Sequence, residues 1–159
     1  EGRFSTFQGK NNIVAIVDYA HTPDALQNVL KTIEKIKTSK QHIITVIGCG
    51  GNRDKNKRPI MAKIGYDFSD TLILTSDNPR NENPEEILND MLKGIANENN
   101  EKVFVNVDRE QAIKLSISIA KPYDIILIAG KGHEKYQEIQ GVKHHFDDVE
   151  IAKKYLLIN

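Results

Sequence analysis

Four short polar segments hold the residue types that can grip a charged small molecule. They are Asp18-Tyr19-Ala20-His21-Thr22-Pro23, Gly48-Cys49-Gly50-Gly51-Asn52-Arg53-Asp54, Asp77-Asn78-Pro79-Arg80 and Gly130-Lys131-Gly132-His133-Glu134. In the third, Pro79 fixes its own φ and disfavours helix at Asn78, so the turn is stiff. Arg80 can then hold a carboxylate through its planar fork, while Asn78 offers both a donor and an acceptor. The plainer alternative is an Asx-type turn around Ser76-Asp77 with a solvated arginine. The fourth gives a flexible loop with an exposed carbonyl and a carboxylate, which together suit an ammonium group. Asp18 and His21 stand before a capped helix. An acid there can hold a ribose hydroxyl, as in other α/β sheets, or simply cap the turn. Arginines and acids on one rim suit a zwitterion, such as an amino acid.

Several chemistries are disfavoured. The glycine turn at 48–51 fails the dinucleotide fingerprint, because Arg53 occupies the place of its third glycine. No G-x-x-x-x-G-K-[ST] phosphate loop occurs in the chain. The cluster Arg53, Asp54, Lys55, Lys57 and Arg58 can bind an anion or form a solvated helix start. His133 beside Glu134 lacks further ligands at metal-site spacing. No nucleophile–base–acid arrangement stands out, and Cys49 reads as a small residue packed between glycines. The segments describe a recognition surface rather than a complete catalytic centre.

The elements that must position these segments are legible from hydrophobic pattern. Ile13–Val17, Ile43–Ile47, Thr71–Thr75 and Ile125–Ala129 are continuous aliphatic runs, as expected of parallel strands covered on both faces, and Val103–Val105 is a shorter one. Thr22-Pro23 predicts a capped helix with a stripe of Ala25, Val29, Leu30, Ile33 and Ile36. Asn83-Pro84 predicts another through Ile87, Leu88, Met91 and Ile95, and Asp108 a third through Ala112, Ile113, Leu115, Ile117 and Ala120. Pro59 to Phe68 is expected to be helical. Tyr136–Ile139 and Val142–Phe146, joined by Gln140-Gly141, predict a hairpin at the sheet's edge, and Asp147-Asp148 a closing helix. Alternating strands and helices imply an α/β fold: a three-layer, Rossmann-like, mostly parallel sheet flanked by helices, with a C-terminal edge hairpin. Parallel strands would bring all four segments to one sheet edge, where open α/β sheets bind ligands.

The 159 residues fit a single domain. Lys plus Arg equals Asp plus Glu at 22 each, so no overall basic field argues for nucleic acid. One cysteine excludes an internal disulfide and fits a reducing compartment. No apolar run reaches membrane-spanning length and no leader is evident, so a cytoplasmic, non-membrane protein is expected.

Taken in order, Gly2-Arg3, the Asp18–Pro23 segment, Gly48-Cys49-Gly50-Gly51-Asn52-Arg53-Asp54-Lys55, Asp77-Asn78-Pro79-Arg80 and Gly130–Glu134 resemble the C-terminal domain of the MurE-type Mur ligases over essentially the whole chain. The resemblance implies one amino-acid-binding domain, residues 1–159, of a three-domain ATP-dependent amide ligase. The N-terminal and central domains, with the phosphate loop and magnesium ligands, would lie outside this chain. ATP would phosphorylate the carboxylate of a UDP-muramoyl dipeptide, and the incoming amine would displace phosphate from the acyl phosphate. The Asp-Asn-Pro-Arg tetrad marks meso-diaminopimelate as the amino acid in that family. Carried over by motif, Arg53, Asp77, Asn78, Pro79, Arg80, Gly130 and Glu134 would bind meso-diaminopimelate. Arg3 and Asp18 would reach the nucleotide, with His21 near its phosphates. No metal site is expected in this domain; ATP and Mg2+ would be held mainly by the central one. The domain alone is expected to be monomeric and inactive as a ligase. Two positions depart from the family pattern: Asn52 stands where many relatives carry Asp, and Glu1 where Pro is frequent.

Three other functions compete: a lysine-adding or folylpolyglutamate-type ligase domain, a stand-alone small-molecule binding module, and a nicotinamide-dependent oxidoreductase. Arg80 argues against lysine, whose terminal cation it would repel. The failed glycine fingerprint argues against the oxidoreductase.

Overall fold

A computed structural model of the chain describes residues 3–98 and 100–158. A six-stranded sheet has the order β1-β2-β6-β3-β4-β5, with β1 Ser5–Gln8, β2 Val14–Asp18, β3 Ile43–Ile47, β4 Thr71–Leu74, β5 Val103–Val105 and β6 Ile125–Ala129. All neighbouring pairs are parallel except β1 with β2. Helices α1 Pro23–Ile36, α2 Lys57–Phe68, α3 Pro84–Leu92, α4 Arg109–Ile119 and α5 Asp148–Ile158 flank it.

The aliphatic runs become central strands because both of their faces are covered. Leu72 and Leu74 of β4, with Ile125, Leu127 and Ala129 of β6, join the core built with α1, α2 and α3. Their alternates, Ile73, Ile126 and Ile128, join the core built with α4 and α5. Helix starts follow the predicted caps. The Thr22 side chain accepts from Ala25 N–H and precedes Pro23, Asn83 accepts from Glu85 N–H and precedes Pro84, and Asp108 accepts from Gln111 N–H. The α1 stripe is shifted from expectation: Leu26, Leu30 and Ile33 are buried, while Ile36 is exposed.

Register places the strand ends level. Asp18 pairs with Ala129, Val46 with Ile128 and Ile47 with Leu74, so the four polar segments leave one edge together. The chain leaves β2 and β3 towards the face covered by α1 and α2, but it leaves β6 for α5 on the opposite face. Divergent exits from adjacent strands open a crevice, which is the binding place of such sheets.

Two features differ from the sequence expectation. β1, alternately exposed and half-buried, adds an antiparallel edge that no long apolar run announces. The hairpin, β7 Tyr136–Ile139 with β8 Val142–His145, forms a two-stranded sheet of its own rather than joining the edge strands β1 or β5. It meets the rest of the fold through a parallel bridge between Arg80 and Ile139. Among the described residues no helix is long and apolar enough to cross a membrane.

Candidate functional site

The crevice at the carboxyl edge is a cleft of about 460 Å3, within the range of small-molecule sites. Arg53, Asp77, Asn78, Arg80, Gly130, Glu134 and His21 all line it, together with Tyr19, Lys57 and Tyr136. Pro79 does not; it is buried behind the wall. The turn after β3 needs its glycines for close packing rather than for phosphate: a Cβ on Gly51 would collide with the Pro79 carbonyl, and Gly51 N–H donates to Asn78 O at 2.8 Å. Gly130 has φ +119° and lies against the Asp77 carboxylate, so a side chain there is excluded twice over.

Strand β7 clamps the tetrad. Gln137 Nε2 donates to Asp77 O at 2.7 Å, Glu138 N–H to Asn78 Oδ1 at 2.9 Å, Arg80 N–H to Glu138 O at 2.9 Å, and Gln140 N–H to Arg80 O at 2.8 Å. Arg80 needs this support because its φ of +52° lies in the left-handed region. Its guanidinium is steered by Gly51 O, 3.0 Å from Nη1, and by Glu138, 3.6 Å from Nε. Asn78 is more committed than the sequence suggests. Its Oδ1 accepts from both Glu138 N–H and Lys131 Nζ, so the acceptor is consumed and only an amide donor is left for a ligand. Burial pushes the Asp77 carboxyl above the usual carboxylate range, with Arg109 and Lys131 pulling it back.

A second cleft of about 320 Å3 is lined by Arg3, Asp18, Tyr19 and His21, so Tyr19 and His21 form the wall between the two. Asp18 is buried, and its oxygens accept Phe4 N–H at 2.7 Å and Ala20 N–H at 2.8 Å. Asp18 thus closes the turn at Ala20, whereas α1 itself is capped by Thr22, and it also fastens the Arg3-Phe4 segment to the end of β2. His21 Nδ1 lies 2.9 Å from Tyr19 O, a contact that leaves Nε2 available when Nδ1 carries the proton. Gly2 lies outside the described residues.

Three buried cations escaped the sequence reading. Arg58, from the cluster read as anion-binding or solvated, is 1% exposed. It holds Glu82, Asp90 and Gly50 O, and so locks the start of α2 to the loop after Arg80. Arg109 forks onto Asp148 at 2.8 and 2.7 Å and donates to Ser76 O and Ala129 O, tying the ends of β4 and β6 to α4 and α5. Lys131 is fully buried beneath the cleft. For Arg58 and Arg109 the acid partners lie far along the chain; Lys131 has Glu134 three residues on, but its other partner, the Asn78 amide, is distant. Asn52 has φ +54°, tolerable for asparagine; its N–H donates to Glu82 at 2.6 Å and its Oδ1 accepts from Asn81 N–H. Cys49 is buried, and burial pushes its thiol up to about 12, which removes it as a nucleophile near neutrality.

The Arg58 lock is pH-dependent. Its guanidinium and the Asn52 N–H lower the Glu82 carboxyl from 4.5 to about 2. A depressed carboxyl contributes stability that is complete above its unfolded pKa and drains as pH falls toward the folded one. The parent is expected to exceed Glu82→Gln in urea midpoint at about pH 6, and the gap should close between 4.5 and about 2. A gap that stays constant across that window would refute the assignment.

Among the described residues no group of three or more His, Cys, Asp or Glu stands ready to hold a metal. The site pairs a cationic rim with a buried acid, Asp77, a half-buried one, Glu134, and a carbonyl, which can grip carboxylate and ammonium ends of one small molecule.

Comparison with known proteins agrees in family. The chain is 58% identical over 149 residues to the UDP-N-acetylmuramoyl-L-alanyl-D-glutamate–2,6-diaminopimelate ligase of Parabacteroides distasonis, covering 94% of this chain and 31% of that protein. The ligase of the same name from Phocaeicola vulgatus is 55% identical over 152 residues, covering 96% and 31%. A solved structure of a ligase of that name superposes with a TM-score of 0.89 at 44% identity, covering 98% of this chain and 31% of the other. The chain thus spans about a third of the length of the curated relatives it matches. The family profile described as Mur ligase, glutamate ligase domain, matches residues 2–132, and the chain belongs to that family.

Proposed function

We propose that this chain is the amino-acid-delivering C-terminal domain of an ATP-dependent ligase that adds meso-diaminopimelate to UDP-N-acetylmuramoyl-L-alanyl-D-glutamate in peptidoglycan synthesis. The observation that carries this reading is the convergence of Arg53, Asp77, Asn78, Arg80, Gly130 and Glu134 in one cleft. Arg80 and the Asn78 amide donor suit a carboxylate, while Gly130 O, Glu134 and Asp77 suit the ammonium beside it. Identities of 55–58% to ligases named for diaminopimelate support the choice of amino acid.

The adjoining cleft, lined by Arg3, Asp18 and His21, is assigned to ATP, with His21 near its phosphates. Mg2+ and the UDP-muramoyl dipeptide belong to the other domains of the enzyme. In the reaction the dipeptide carboxylate takes the γ-phosphoryl group, releasing ADP. The amine then attacks the carbonyl carbon, phosphate leaves, and an amide forms. This chain contributes no bond-making group of its own: it orients the amine and closes the nucleotide cleft. The same reading places a monomeric enzyme in the cytoplasm.

Calorimetric titration of the chain with meso-diaminopimelate and with lysine tests the assignment. Saturable binding of meso-diaminopimelate, tighter than lysine, is expected. Equal affinity for the two, or binding of neither, would remove the substrate assignment.

A further inference from the structure

The most deeply buried charge at the cleft is one that the proposed reaction does not use. Lys131 is 0% exposed. Its ammonium lies 3.0 Å from Asn78 Oδ1 and 3.2 Å from Glu134 Oε1, and 5.4 Å from the centre of the Tyr136 ring. A buried ammonium is costly to desolvate, and an apolar side chain of similar length would often serve stability as well or better. Its place in the fold therefore calls for a reason other than stability.

That reason lies in the amide it touches. Two donors, Lys131 Nζ and Glu138 N–H, converge on Asn78 Oδ1, the second at 2.9 Å. Rotating the amide by half a turn would set its NH2 group against both of them. The orientation is thereby locked, and Nδ2 is turned toward Glu134 Oε1 at 3.3 Å. One N–H is engaged there and the second is left over, because an amide nitrogen carries two. Glu134 is organised by the same contacts: Oε1 is shared between Lys131 and Asn78, which leaves Oε2 to take an ammonium.

We propose that Lys131 is a positioning residue that makes the cleft read a carboxylate, by fixing Asn78 so that it offers a donor and never an acceptor to the ligand. It rests on the assignment of the cleft to an amino acid. Without the lysine only Glu138 N–H opposes the turn, so the Asn78 amide more readily presents its oxygen, to which an ammonium-ended side chain would donate and from which a carboxylate would be repelled. Lys131 thus sets specificity between amino acids with and without a second carboxylate while touching neither.

The test uses this chain with Lys131→Met, which is one atom shorter and removes the charge, and Lys131→Gln, equally short but retaining an NH2 donor on the side of Asn78 Oδ1. Each is titrated with meso-diaminopimelate and with lysine, and folding is checked by thermal unfolding. In Lys131→Met the affinity for meso-diaminopimelate should fall by about tenfold to a hundredfold, the worth of one charge-assisted hydrogen bond. Affinity for lysine should hold or rise, and Lys131→Gln should recover part of the preference. A structural role alone would lower both affinities together, so a parental preference ratio in a folded Lys131→Met overturns the proposal. If the methionine variant does not fold, the glutamine variant is read instead, and loss of both affinities in step by that variant overturns it equally. The parent gives the distinguishing control. Should the parent fail to prefer meso-diaminopimelate, the assignment of the cleft falls first; should it prefer it and the variants match it, only the role of Lys131 falls.

Discussion

Replacing Arg80 by alanine, in a full-length ligase whose C-terminal third is this chain, is expected to lower kcat/KM for meso-diaminopimelate by roughly thirtyfold to several-thousandfold. That range corresponds to the about 2–5 kcal/mol lost when one partner of a desolvated charge pair is removed. Meso-diaminopimelate and lysine share a carbon chain and terminal amine, so only groups reading the second carboxylate can separate them. Arg80 is such a group, and its placement is set by several features: a left-handed φ, two backbone hydrogen bonds to the β7–β8 hairpin, and a guanidinium steered by Gly51 O and Glu138. Arg80→Lys should recover little, since an ammonium cannot form the planar fork. The KM for ATP should be nearly unchanged, because Arg80 does not line the Arg3–Asp18 cleft. Steady-state kinetics of the three proteins with both amino acids decides it. An alanine variant as active as the parent, or a parent that uses lysine equally well, would defeat the assignment.

The second large effect concerns stability. Arg109→Met leaves Asp148 buried, both side chains being 0% exposed in the parent, and it releases Ser76 O and Ala129 O from their donor. Stranding one half of a buried ion pair costs about 3–5 kcal/mol. With a urea m-value of about 2 kcal/mol/M, the midpoint should fall by roughly 2 M. The double variant Arg109→Met/Asp148→Leu should recover a large part of this, because no unpaired charge is left inside. The recovery separates an ion-pair effect from a packing defect. A single variant within about 1 kcal/mol of the parent, in the range of ordinary substitutions, would mean that the fork does not hold the strand ends. Since Ser76 and Ala129 immediately precede Asp77 and Gly130, the folded single variant is also expected to bind amino acid more weakly.

Short-range chemistry accounts for the features that can be read from the residues alone. Runs such as Ile125–Ala129 can only be strands buried on both faces, and their β6 alternates do divide between the two cores. Thr22-Pro23, Asn83-Pro84 and Asp108 start helices because a side-chain oxygen meets a free N–H within three residues. Parallel strands with helical crossovers then carry all four polar segments to one edge, and seven of the proposed ligand residues line a single cleft there. Tertiary structure decided matters that depend on partners distant along the chain. Arg58, Arg109 and Lys131 look like any surface cation in sequence, and only Glu82, Asp148 and Asn78, 24, 39 and 53 positions away, make them buried. The hairpin reads as two short strands, but its function as a clamp on Asp77–Arg80 appears only when β7 lies along that loop. The strand β1 exists because the exposed edge of β2 offers it hydrogen bonds, a condition set by the sheet and not by Ser5–Gln8. The glycines after β3 serve the close approach of two backbones, at Gly51 and Pro79, that no local pattern can foresee. Spacing along the chain reports which groups exist and where strands end. Which of those groups face a ligand, and which are spent holding the others in place, is set by long-range packing in a low-dielectric interior where every buried charge must find its partner.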